Sequence, residues 1–400
     1  GLVLTINDMS LPDYSFFTPS PIHFGCGLRA DLPKVVPQFG RRAFVLLGSR
    51  TLAETGMLEP AFSSLRNTGI RFELIMPSTR EPEVADVDML VEQLRFLNAE
   101  VGDCLLAIGG GSTIDLAKAA AALVTQAQSG SVVDYLEGVG RGWTLFTDPL
   151  PVIAVPTTSG TGTEATKNAV ISSYDPPFKK SLRSDRMIPR AVVVDPELTC
   201  SLPPTTTAYT GMDAITQLLE SYISRRAAPI PQALCVQGLQ LAIPALPKAF
   251  HDGHDRDART AMSHAALLSG MALANSGLGL AHGVAAALGV HAKVPHGLAC
   301  AVMLPAALRT NRTVRLSALA ELSRIVLKCT ASTEEAAADR LIETVTALCH
   351  DVQIPSRLRD IGVTREHLPA LVPASRGNSM SGNPRDVSDA ELLELLETLW

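Results

Sequence analysis

The chain reads as two domains of different class: a parallel α/β sheet wrapped by helices over residues 1–198, and an all-helical domain over residues 199–400. Three observations predict this. Up to about residue 195, short β-branched runs alternate with amphipathic stretches across brief turns, the pattern of parallel strands joined by helical crossovers. Beyond Pro204, strand-like runs become scarce and helical spacing dominates. Finally, 400 residues that are 46% hydrophobic and only 18% charged exceed one ordinary core but suffice for two well-buried ones.

In order along the chain, residues 1–12 carry little pattern, and residues 19–27 read as an extended segment ending in a glycine turn. A helix is expected over 30–40, closed by Gly40. A buried strand over 43–47 ends at Gly48 and Ser49, and helical spacing follows over 52–67. Residues 71–77 form the next strand and 84–99 an amphipathic helix. Residues 103–124 pass from strand to helix through Gly109, Gly110, Gly111 and Ser112. A second strand, 152–155, runs into a turn rich in threonine and glycine, and the last strand of the sheet starts at Ala191. The helical domain is expected over 211–224, 232–250, 257–275, 314–328, 333–351 and 388–399, with a small-residue segment, 277–297, among them.

A net charge of −6 without basic clusters argues against nucleic acid or an anionic membrane surface as partner. There is no basic-plus-apolar leader, and no apolar run approaches a membrane span. The seven cysteines are odd in number, scattered and without a CxxC pair, which fits reduced thiols in a cytoplasm. Cys104 and Cys300 lie in apolar runs and read as core.

Three stretches carry chemistry. In the first, glycines feeding a helix N-terminus expose backbone N–H groups to an anion. Ser112 is a natural N-cap, with Asp115 completing a capping-box pattern. A tight turn without ligand gives the same residues. The second, Thr157, Thr158, Ser159, Gly160 and Thr161, lies at a strand's C-terminal end, where open parallel sheets bind ligands; a solvated loop is the alternative. The third pairs two distant segments. His282 and His296 each precede a glycine in a nearly uncharged run, and buried imidazoles need partners on both nitrogens. Asp213 and Gln217 stand one turn apart on a predicted helix, so both leave the same face. A metal ion would satisfy all four. A backbone carbonyl for His296 and a helix cap for His282 would also do.

These stretches together resemble the iron-containing (group III) alcohol dehydrogenase family of the dehydroquinate synthase-like superfamily. Residues 353–363 and 382–400 extend the likeness over nearly the whole length. The resemblance implies a Rossmann-like first domain and a metal held by Asp213, His282 and His296. Gln217 stands where the family has a fourth, histidine ligand, and an amide oxygen is a harder, weaker donor than imidazole. Ala286 stands where many members carry a further histidine linked to proton relay. His291, in the same segment, is the candidate to replace it, with packing as its other reading. By the same resemblance Gly109, Gly110, Gly111, Ser112 and Thr113 form the pyrophosphate turn. Thr157, Thr158, Gly160 and Thr161 form a second cofactor loop. Lys179 lies near the nicotinamide ribose, in a register shared with Lys180.

The implied activity is hydride transfer between NAD(P) and a small alcohol or aldehyde, assisted by Fe²⁺ or Zn²⁺, in an interdomain cleft of a homodimeric enzyme. No acidic residue follows the strand at Gly48 and Ser49 to repel a 2′-phosphate, which tilts the choice towards NADP over NAD. A dehydroquinate synthase-type lyase would need more basic residues around the metal. A metal-poor, non-catalytic nucleotide-binding relative would account for Gln217 and Ala286.

Overall fold

The computed structural model describes residues 11–128 and 130–400. Most of the patternless opening segment therefore lies outside the described residues. The first half contains β1 (Ile22–Phe24), α1 (Leu32–Val35), β2 (Arg42–Leu47), α2 (Arg50–Thr55), α3 (Glu59–Asn67) and β3 (Arg71–Ile75). It continues through α4 (Val84–Phe96), β4 (Asp103–Gly109), α5 (Gly111–Val124), β5 (Val152–Pro156), β6 (Asn168–Tyr174), β7 (Pro177–Arg183) and β8 (Ala191–Val194).

Six strands form one sheet in the order β1-β8-β5-β4-β2-β3, and every pairing is parallel. The two-residue period of the strands divides the core in two. Phe44, Leu46, Leu105, Ala107 and Ala154 face α4 and α5, while Val45, Leu106, Ile108, Ile153 and Val155 face α1 and α3. The chain runs outward from β2 to β3, then returns across β2 to β4, so the winding reverses between β2 and β4. Ligands in such sheets bind where the winding reverses, beyond the strands' C-terminal ends. Gly48 and Gly109 sit there.

Several local expectations differ. The helix over 30–40 is one α turn, α1, between two 3-10 turns, because Pro33 and Pro37 each remove a donor. The stretch 52–67 is two helices divided at Gly56, whose φ of 68° ends α2. The antiparallel hairpin β6–β7 was not anticipated from its polar, proline-interrupted sequence. The Ser112–Asp115 capping box does not form: Gly110 occupies the N-cap position with no side-chain cap. Asp115 instead accepts from the Thr163 hydroxyl and from Val170 N.

One turn further along α5, the wholly buried Lys118 donates to the carbonyls of Thr163 and Thr166 at 2.9 and 2.8 Å. Helix α5 thereby grips the turn after β5 from beneath.

After β8 the chain passes through a 3-10 turn, Pro196–Thr199, where the expected division at 198/199 falls. The helices that follow are α6 (Pro204–Ile223), α7 (Pro229–His251), α8 (Arg256–Ala274), α9 (Leu280–Ala292) and α10 (His296–Asn311). Beyond them lie α11 (Leu316–Val326), α12 (Glu334–Asp351), α13 (Leu368–Ala374), α14 (Asn378–Ser381) and α15 (Asp389–Leu399). Among the described residues this half contains no strand. Helix α6 is its axis, with every residue from 211 to 223 buried. One expectation needs correction: α7, with 23 residues, is long and apolar enough to reach membrane-spanning length. It packs against α6 and α8, which cover its apolar face.

Glu164, in the turn gripped by Lys118, offers a pH test. Burial, its main perturbation, raises its pKa from 4.5 to about 7. The folded chain therefore keeps a proton that the unfolded chain loses, so this contribution to stability is full below 4.5 and is lost as pH rises through about 7. Glu164→Gln, which stays neutral, is expected to flatten the fall in urea-unfolding free energy between about pH 5 and 8. The difference from wild type should be on the order of 2–3 kcal/mol.

Candidate active site

Helix α6 presents three polar side chains to the interior at i, i+4 and i+7: Asp213, Gln217 and Glu220. All three are buried. Glu220 is the structural key. Its Oε2 accepts from Ala281 N at 2.9 Å, and its Oε1 accepts from His282 N at 3.1 Å. A carboxylate on one helix thus caps the N-terminus of another, α9, where charge and orphan N–H groups both favour it. The same Oε1 lies 2.7 Å from His282 Nδ1. That bond puts a proton on Nδ1 and turns Nε2 towards Asp213 Oδ1, 3.1 Å away.

His296 arrives from the first turn of α10. Its Nε2 is 3.5 Å from the same Asp213 Oδ1 and 3.7 Å from Cys300 Sγ, one helical turn along. Its Nδ1 is buried without a partner. The glycine after each histidine has a packing reason. A Cβ on Gly297 would stand 2.2 Å from the Tyr209 carbonyl oxygen of α6, and one on Gly283 would stand 3.0 Å from the Ser375 carbonyl oxygen. Backbone against backbone is what brings His296 within reach of Asp213.

Donor atoms of Asp213, His282, His296 and Cys300 all lie within 4.8 Å of one another. Burial by itself opposes charge on each, yet the set charges mutually. The two histidines hold the Asp213 carboxyl well below its usual range. Against burial, Cys300 and Asp213 hold His296 up at about 10. A donor set of this composition, converging on one point, fits a divalent cation.

The cluster lies at the floor of a cleft enclosing about 1180 Å³ with the solvent of its open mouth included. Gly111, Ser112 and Thr161 line it from the sheet side, Lys179 from the hairpin, and Gln217, His282, Ala286 and His296 from the helices. Lys179 Nζ pairs with Glu81 Oε2 at 2.8 Å.

Other sequence-predicted residues serve the frame of this cleft. Added Cβ atoms on Gly48 and Gly109 would stand 1.7 and 2.5 Å from Thr113 Oγ1, so Thr113 is buried beneath the two strand ends. Gly110 and Gly111 make room for Thr158 and Thr161, and Gly160 for Thr210 of α6. The glycines therefore let the two turns interlock. Gly109, Gly110, Thr157, Thr158 and Gly160 stand behind the lining rather than in it. Gly162, with φ of 62°, meets Gly270 of α8 so closely that a Cβ there would lie 2.5 Å from Gly270 N. Ser49 caps α2, its Oγ accepting from Leu52 N.

His291 does not join the cluster. Nine residues beyond His282 is two and a half helical turns, which points it to the opposite side, beside His367. Gln217 Oε1 lies 2.9 Å from the Ser269 hydroxyl. Sequence reasoning missed Glu220, Cys300 and Glu81. The first two carried a signal: Glu220 continues the Asp213–Gln217 face, and Cys300 is i+4 from His296.

The family model "Iron-containing alcohol dehydrogenase" matches residues 19–196, and "Fe-containing alcohol dehydrogenase family, C-terminal" matches residues 207–400. The chain belongs to the iron-containing alcohol dehydrogenase family. It is 31% identical over 379 residues to the lactaldehyde reductase of Escherichia coli (strain K12), covering 94% of this chain and 97% of that one. It is 30% identical over 399 residues to the NADPH-dependent butanol dehydrogenase of Clostridium saccharobutylicum, covering 96% and 97%. A crystal structure of 1,3-propanediol oxidoreductase matches with a TM-score of 0.89 and 28% identity over 97% of this chain and all of that one. The sulfoacetaldehyde reductase from Bifidobacterium kashiwanohense, solved with NAD⁺, matches with a TM-score of 0.85 and 27% identity, covering 97% and 99%. This member of the alcohol dehydrogenase family is accordingly a metal-dependent, NAD(P)-linked oxidoreductase acting on alcohols and carbonyls.

Gly297→Ala tests the positioning of His296. With no room between α10 and α6, the helices must part, and a loss of roughly 2–4 kcal/mol is expected in urea unfolding.

Proposed function

We propose that this enzyme interconverts a small, uncharged primary alcohol and its aldehyde, with Asp213, His282 and His296 holding the divalent cation and NADP as the favoured cofactor. One observation carries the reading: a single buried carboxylate oxygen stands 3.1 and 3.5 Å from two imidazole nitrogens at the floor of the cleft whose far wall is the glycine-rich turn. When bound, the nicotinamide carries the hydride and the cation draws charge from the substrate oxygen.

The chain's own residues do the rest. Glu220 fixes the His282 tautomer and ring, a support that typically changes metal affinity 10–100-fold when lost. The two interlocked turns would hold the cofactor on the sheet side of the cleft. The basic side chains at the cleft are largely paired: Lys179 with Glu81, Arg183 with Glu137, and Arg376 with Asp389. That pairing favours a neutral substrate over the phosphorylated acid of a dehydroquinate synthase-type lyase.

Ser49 caps its helix at the end of β2 and brings no negative charge there, which supports NADP. The same reading has two chains acting as a homodimer in the cytoplasm. The seven free cysteines fit a reducing compartment, and sedimentation at twice 42.4 kDa checks the dimer.

Following NADPH absorbance with a panel of short aldehydes tests the activity. Chelation is expected to abolish turnover, and added Zn²⁺ or Fe²⁺ to restore it; undiminished turnover by metal-free protein would overturn the reading. Ser49→Asp is expected to lower kcat/KM with NADPH by roughly 10–100-fold while sparing NADH, through a carboxylate facing the 2′-phosphate.

A further inference from the structure

We infer that Cys300, not Gln217, is the fourth protein ligand of the cation, and that the resulting Asp-His-His-Cys set selects Zn²⁺ over Fe²⁺. The inference rests on the reading of Asp213, His282 and His296 as metal ligands and deepens it.

The geometry of the four donors carries it. Zinc–ligand bonds of about 2.0–2.2 Å to nitrogen or oxygen and about 2.3 Å to sulfur give tetrahedral edges of roughly 3.3 Å between N and O and roughly 3.6 Å between N and S. The edges found are 3.1 Å from His282 Nε2 to Asp213 Oδ1, 3.5 Å from His296 Nε2 to the same oxygen, and 3.7 Å from His296 Nε2 to Cys300 Sγ. Three of the six edges are thus already zinc-sized, the remaining donor pairs lie within 4.8 Å of one another, and one corner is sulfur. Cys300 is fully buried and one turn from His296 on the same face of α10, so both donors face the same point.

Donor chemistry points the same way. The Gln217 amide oxygen already takes a hydrogen bond from Ser269. A thiolate is a soft donor that favours zinc, and zinc also stands above ferrous iron in the general affinity order. On binding, the sulfur–metal bond forms as the thiol proton leaves to solvent.

Titrating metal-stripped protein with Co²⁺ reads the ligand set directly. Wild type should show visible ligand-field bands together with a near-ultraviolet thiolate-to-cobalt band. Gln217→Ala should keep that band. Cys300→Ser should lose it while retaining the visible bands, and its Co²⁺ affinity should fall by roughly 10–100-fold, as for other perturbed ligand shells. X-ray absorption of zinc-loaded wild type, which needs no variant to fold, should show one sulfur neighbour at about 2.3 Å. Visible bands without the ultraviolet band, or a zinc spectrum with only nitrogen and oxygen neighbours, would overturn Cys300 as ligand and leave the metal site standing. Failure of wild type to retain Co²⁺ or Zn²⁺ at all would overturn both.

Discussion

Two carboxylates on the stretch of α6 that is buried on every side, residues 211–223, impose the order of the whole cleft. Asp213 and Glu220 each cost several kcal/mol to bury as ions unless fully partnered. Glu220 finds its partners in the N-terminus of α9 and the ring of His282; Asp213 finds its partners in His282 and His296. Helices α6, α9 and α10 are therefore held in one arrangement by charge as well as by apolar packing. Without the α9 cap, His282 has no fixed tautomer, and without His282 and His296 the Asp213 carboxylate is an unpaired buried charge.

Glycine does the complementary work. Where side chains would keep elements apart, Gly297 lets α10 touch α6, Gly111 lets the first turn touch the second, and Gly160 lets the second turn touch α6. The sheet-borne half and the helical half thus meet through backbone and threonine side chains, leaving the space between them for cofactor and substrate. The buried Lys118 holds the second turn from below, so the sheet side of the cleft is braced as well as the helical side.

Much of this is legible in the sequence because it rests on local periodicity. The alternation of strands and helices and the helical second half both follow from patterns of two and 3.6. So does the shared face of Asp213 and Gln217. What is not legible depends on contacts across distance. The β6–β7 hairpin lacks a conventional turn sequence, and Pro176 and Pro177 read as loop. Cys300 is indistinguishable from core in an apolar run until α10 is laid beside α6. His291 shares a segment with His282 yet faces away, because nine residues is a half-integral number of turns. The glycines of the first turn, which read as an opening for phosphate, also make room for threonines that no local pattern reveals.

The contact of Gly162 with Gly270 has a mechanical consequence. Two backbones in direct apposition have no side chains to re-pack, so the halves cannot slide past one another at that point in the way that shear motions require. Any relative motion of the two halves is left to rotation about this contact, which acts as a fixed point between them.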